Sequence, residues 1–166
     1  MEDKDLYVQK YKDVNAKLTK CINDIEGIII KSNEVLEGNS FYEHQTLYRP
    51  DYMFNKQVNL FWAGSNGKKR ICEIGFNAGH SALLMLLGAT DAIKEPIDFT
   101  VFDIGEHAYT RPTVEYIKEQ FPQVNIEFVE GDSIVTMPKW IAKNTDLLNQ
   151  YDVVHIDGGH TGECRS

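Results

Sequence analysis

Four short stretches gather the residues able to do chemistry, and each follows an apolar run. The first, residues 73–81, spaces Gly75 and Gly79 around Asn77 just before a helical stretch. The two glycines let backbone approach a ligand with no side chain in the way, and Asn77 tolerates positive φ, though less freely than glycine. The opening of the helix offers unpaired N–H groups and partial positive charge. His80 or Ser81 would cap it, Ser being the better cap type. The plain alternative is a tight turn that binds nothing. The second stretch, residues 102–107, puts Asp103 where a carboxylate accepts both hydroxyl protons of a ribose, or merely caps a turn. In the third, residues 129–133, Asp132 either caps the next helix or accepts from an exocyclic amino group, and the two roles are compatible. The fourth, residues 156–160, sets Asp157 and His160 on a Gly-Gly turn, a hard oxygen ligand beside a titratable imidazole. A capping Asp and a solvated loop His are its bland readings. The dinucleotide pattern G-x-G-x-x-G is missing, because Asn77 and His80 stand where it needs glycines. A nucleoside pocket therefore fits better than a pyrophosphate grip. His155, inside an apolar run, reads as a core residue, and Trp62, Phe54 and Tyr52 read as core or lid packing.

The elements that must position these loops follow from periodicity. Residues 5–37 keep one apolar face at helical spacing, from Leu6 and Tyr11 through Leu18, Ile22 and Ile25 to Ile29. Gly27 is a candidate division of this helix, and Gly38-Asn39 a candidate stop. Residues 39–52 are aromatic-rich and irregular, with Pro50 against an uninterrupted helix. Residues 53–62 are predicted helical, and Gly64 to Gly67 a turn. From residue 70 onward short apolar strands alternate with helices, giving β-α-β-α-β-α-β. Pro112 falls near the first turn of its helix, where a missing N–H costs little. Pro138 either breaks the third helix or starts its main body. Near-continuously apolar strands alternating with helices predict a parallel sheet covered on both faces. Right-handed crossovers put every strand C-terminus on one edge, where ligands of such sheets sit. The fold class is α/β, a Rossmann-like parallel sheet. Residues 1–67 form an N-terminal helical extension or lid, and residues 68–166 the sheet domain.

Composition narrows the partners. The chain has 166 residues, 42% hydrophobic and 25% charged, enough for one domain with a real core. A formal net charge of −8 argues against nucleic acid, whose phosphates need clustered Lys and Arg. No stretch of about 18 apolar residues would span a membrane. The start is acidic and polar, unlike a secretion signal, so the cytoplasm is the expected compartment. Cys21, Cys72 and Cys164 lie far apart, without the C-x-x-C spacing of a zinc or redox site. Cys72 is expected to pack in a strand, and Cys164 to be an exposed thiol. A small molecule is the expected partner.

Taken in order and spacing, residues 71–86, 99–107, 126–133 and 151–161 resemble the first four motifs of the class I S-adenosylmethionine-dependent methyltransferases. The stretches 73–82 and 156–161 are most similar to the small-molecule O-methyltransferase-like branch. The resemblance implies S-adenosylmethionine as cofactor. Glu73, Gly75, Phe76, Asn77 and Gly79 would lie on its methionine side, Asp103 on the ribose, Ile104 on the adenine, and Asp132 with Ser133 near the adenine amino group, with Ser81 a further cofactor-binding residue. Asp157 would face the donor methyl, and His160 would be a candidate base. In metal-dependent relatives an Asp in the position of Asp157 ligates Mg²⁺. The family's first motif usually has glycine where Asn77 stands. Its sheet has seven strands, against four here. The expectation is therefore a C-terminally truncated chain, or a homo-oligomer whose second copy covers the fourth strand's edge, where Val153, Val154 and Ile156 would otherwise be exposed. A non-catalytic binding fragment is an open alternative. An NAD-binding oxidoreductase is disfavoured by the missing glycine pattern.

Overall fold

A computed structural model describes residues 4–37 and 40–158. Helices α1 (Lys4–Asp13) and α2 (Asn15–Ser32) open the chain. The break falls at Val14, not at Gly27, which sits inside α2. The buried face of α2 explains its persistence. Leu18, Cys21, Ile22, Ile25 and Ile29 all point into the core, and that burial outweighs the roughly 1 kcal/mol helical cost of a glycine. The helix ends at Asn33, whose left-handed backbone (φ 59°) lets its N–H reach the Ile30 carbonyl. The Gly38-Asn39 stop lies outside the described residues. What reads as irregular chain contains a small antiparallel pair, β1 (Tyr42–Glu43) and β2 (Leu47–Tyr48). Helix α3 (Phe54–Ser65) then runs through Gly64 and Ser65, where a turn was expected.

The second half forms a four-stranded parallel sheet: β3 (Arg70–Ile74), β4 (Ile97–Asp103), β5 (Val124–Glu130) and β6 (Val153–Ile156), in the order β5-β4-β3-β6. The strands step outward from β3 to β5, and β6 then returns to the far side of β3. With right-handed crossovers, that reversal sends the connecting helices to opposite faces. Helices α4 (His80–Ala92) and α5 (Thr110–Gln120) share the main core with α2 and α3. Helix α6 (Ser133–Lys143) covers the other face, where Trp140 meets Cys72 and Phe102. It runs unbroken through Pro138, whose missing N–H leaves the Ile134 carbonyl without its helical partner. Anchorage of Met137, Trp140 and Ile141 on the second cluster holds it in place. β6 is an edge among the described residues. Val154 and Ile156 are exposed on the α6 side, while Val153 packs against the main core. Cys72 is buried, and burial pushes its thiol up to about 12; Cys164 lies outside the described residues.

Helices α3 and α4 cross closely enough that side chains are excluded. A Cβ on Gly64 would fall on the Met85 carbonyl, and one on Gly88 on the Phe61 carbonyl. A Cβ on Gly27 would meet nothing within 4 Å. Gly88→Ala is expected to lose about 1–2 kcal/mol in urea unfolding, since overpacking against backbone exceeds the helical gain. Gly27→Ala is expected to gain up to about 1 kcal/mol. Equal effects of the two substitutions would contradict this packing.

Candidate functional site

The strand order places a crevice beyond the C-terminal ends of β3 and β6, where the order reverses and open α/β sheets bind ligands. A cavity of about 540 Å³ lies there, lined from all four strand-end loops. The ladder carries on past the strands and aligns the loops. The Gly75 N–H reaches the Phe102 carbonyl, Gly131 N–H that of Asp103, and Asp157 N–H that of Ile74. Gly75, Asn77 and Gly79 all adopt positive φ. The space their shape frees is taken by protein: a Cβ on Gly75 would lie 2.6 Å from the Asp157 carbonyl oxygen, and one on Gly79 would strike the Phe76 ring. Gly75 thus brings the first and fourth loops together and Gly79 lets the first loop close on Phe76, rather than leaving room at those two atoms for a ligand.

Asp103 holds this loop. One carboxylate oxygen accepts from the N–H groups of Phe76 (2.7 Å) and Asn77 (2.9 Å), and the other from Gly105 N–H (2.7 Å). A carboxylate has about four lone-pair sites, so Asp103 enters the cavity wall with roughly one to spare. That is less than the bidentate ribose grip expected of it. The Asn77 side chain donates to the Glu37 carbonyl and accepts from the Tyr109 hydroxyl at 2.7 Å. The glycine loop is therefore tied to both the N-terminal segment and the start of α5.

Glu73 is fully buried and meets the cavity only through Ser81, whose hydroxyl donates to its carboxylate. The β3–β6 register sets it opposite His155, whose Nδ1 lies 3.0 Å from the same carboxylate oxygen. Burial raises the Glu73 carboxyl, and the hydrogen bond to Glu73 raises His155. His155 is thus a partnered strand residue, but its partner is a buried acid. His80, the first residue of α4, is buried between Phe41 and Tyr42 and lines the cavity, and burial lowers it to about 4.

On the β4 and β5 side, Ile104 is 55% exposed at the cavity wall, an apolar side chain open to a flat partner. Asp132 caps α6, accepting from Ile134 N–H, and Ser133 lines the cavity beside it. Asp157 faces Lys56 of α3, with 3.3 Å between Nζ and Oδ2. Among the described residues no three His, Cys, Asp or Glu side chains gather to hold a metal ion. Among the described residues the neighbour of the Asp157 carboxylate, which the resemblance implies as a Mg²⁺ ligand, is the Lys56 ammonium. His160 lies outside the described residues. Glu106 and His107 line the cavity from the second stretch, and sequence reasoning missed Glu37, Ser40 and Lys56. No local pattern marks them; Lys56 and Asp157 are 101 positions apart.

A family profile described as a methyltransferase domain matches residues 72–166. The chain belongs to this family. The matched span of the methyltransferase domain begins within β3 and takes in all four strand-end loops. The N-terminal wall of its cavity, with Glu37, Ser40 and Lys56, comes from outside that span. No curated protein matches the methyltransferase domain or its N-terminal helices. Among the described residues no helix is long and apolar enough to cross a membrane.

Proposed function

We propose that this methyltransferase domain takes its methyl group from S-adenosylmethionine and passes it to the hydroxyl of a small molecule, as in the O-methyltransferase-like branch. The observation that carries this reading is the charge pattern of the cavity. Glu37, Asp103, Glu106, Asp132 and Asp157 line it, with Lys56 as its one Lys or Arg among the described residues. A walled, acidic cavity favours a bound cation. S-adenosylmethionine supplies a methyl activated on positively charged sulfur.

The chain's own residues divide the work. Asp103 and Asn77 hold the glycine loop as a fixed wall, so the donor meets a preformed surface. Ile104 offers an apolar face for the adenine, and Ser133 with Asp132 a polar edge. Ser81, its hydroxyl fixed by Glu73, stands at the opening of α4, where free N–H groups suit the methionine carboxylate. Asp157 stands where the acceptor hydroxyl would arrive and can take its proton.

Transfer of a labelled methyl group from S-adenosylmethionine to a panel of phenols and catechols tests the reaction. Labelled methyl ether is expected in the presence of the full chain. Cofactor binding without transfer to any panel member would contradict the hydroxyl acceptor.

A further inference from the structure

The geometry points to Lys56 as the cation that activates the acceptor hydroxyl beside Asp157. This rests on the methyl-transfer reading above. Three observations carry it.

The first is position. Lys56 comes from outside the family span and reaches Asp157 at the cavity wall, 3.3 Å away. Asp103 and Asp132 are already engaged with backbone N–H groups at the β4 and β5 ends. The second is rigidity. Gln57, the next residue, is fully buried. Its amide donates to the Ser40 and Tyr52 carbonyls, and its oxygen accepts from the Tyr11 hydroxyl at 2.7 Å. The first turn of α3 is therefore pinned, and the close α3–α4 crossing fixes the rest of the helix. The third is access. The two side chains are 39% and 38% exposed, so an entering hydroxyl can reach both. An ion pair that open adds little to folding stability, so its alignment is free to serve a ligand.

In the step itself, the acceptor oxygen gives its proton to the Asp157 carboxylate. It takes the methyl carbon with its own electron pair and leaves the carbon–sulfur pair on sulfur. The Lys56 ammonium donates a hydrogen bond to that oxygen as negative charge builds on it, the work a metal ion does as a Lewis acid. The acceptor class is thus one with an ionisable hydroxyl, such as a phenol or catechol.

4-Nitrocatechol, whose absorption changes on ionisation, is a direct probe. It is titrated into the full chain with S-adenosylhomocysteine present, and calorimetry on the same samples reports S-adenosylhomocysteine binding independently. Bound to the wild type, the probe is expected to ionise at least about one pH unit lower, a tenfold rise in its ionised fraction. Added chelator is expected to change nothing. Lys56→Met should lose the shift while still binding S-adenosylhomocysteine, and Lys56→Arg, which restores a cation, should keep most of it. A shift that survives in Lys56→Met, one that chelator abolishes, or no shift in wild type that binds S-adenosylhomocysteine overturns the assignment. Absence of S-adenosylhomocysteine binding instead overturns the cofactor reading beneath it.

Discussion

Asp103→Ala is expected to weaken S-adenosylhomocysteine binding by about 10- to 100-fold, with little change in the far-ultraviolet circular dichroism. The Asp103 carboxylate accepts three backbone N–H groups, two from the glycine loop and one from Gly105. Each charge-assisted hydrogen bond is worth roughly 1.5–3 kcal/mol. Without them the loop after β3 must be ordered by the ligand, and even one such bond's worth of ordering gives that loss of affinity. The strands themselves keep their ladders. Asp103→Asn should fall between the two proteins. Its amide keeps one oxygen acceptor but turns an NH₂ toward N–H groups on the other side. Calorimetry on the three proteins measures the series. Undiminished binding by Asp103→Ala would mean that the loop is held by other contacts.

The second large effect concerns the buried pair. His155→Ala is expected to cost about 3 kcal/mol at neutral pH, because it leaves Glu73 buried with its charge uncompensated. The pH dependence has a definite sign. His155 is raised in the folded chain, so its contribution is fully present below its ordinary value of about 6.5 and fades as pH rises through the folded value. Glu73 is also raised, by burial, so the folded chain holds its proton more tightly than the unfolded chain does. Both groups therefore make stability fall as pH rises from the ordinary carboxylate range toward and past neutrality. In His155→Ala the hydrogen bond and charge of His155 that lower Glu73 disappear, and only the Ser81 hydroxyl still does so. The variant's deficit should then grow as pH rises through the carboxylate range, where the unpaired Glu73 must ionise while buried, and shrink again past neutrality, where His155 of the wild type loses its proton. Urea unfolding from pH 5 to 8 reads this directly. A deficit independent of pH would show that His155 matters only as packing.

Much of this site was legible because strand-end chemistry is local. The change from helical to strand rhythm at residue 70 exposed four loops, and the glycine spacing marked the first. The positive φ of Gly75, Asn77 and Gly79 is the backbone that those residue types announce. The losses also have physical causes. Gly27 looked like a break, yet the buried isoleucines around it hold α2 together, while nothing in the residues at Val14 signals the interruption there. The β1–β2 hairpin turns on His44 and Gln45 at positive φ, residues that turn rules do not assign to left-handed backbone. Pro138 was read as a boundary, but tertiary anchoring at Trp140 carries the helix past it. Asp103 was visible as a strand-end acid; its engagement with three N–H groups depends on how two loops fold together. The pairings of Glu73 with His155 and of Lys56 with Asp157 depend on sheet register and helix packing across 82 and 101 positions. No window of sequence contains either.

Calorimetric titration of the full chain with S-adenosylhomocysteine, and separately with NAD, tests the cofactor assignment most directly. Saturable binding of S-adenosylhomocysteine at one site per chain, tighter than any binding of NAD, is the expected result. No binding of S-adenosylhomocysteine, or a preference for NAD, would contradict it.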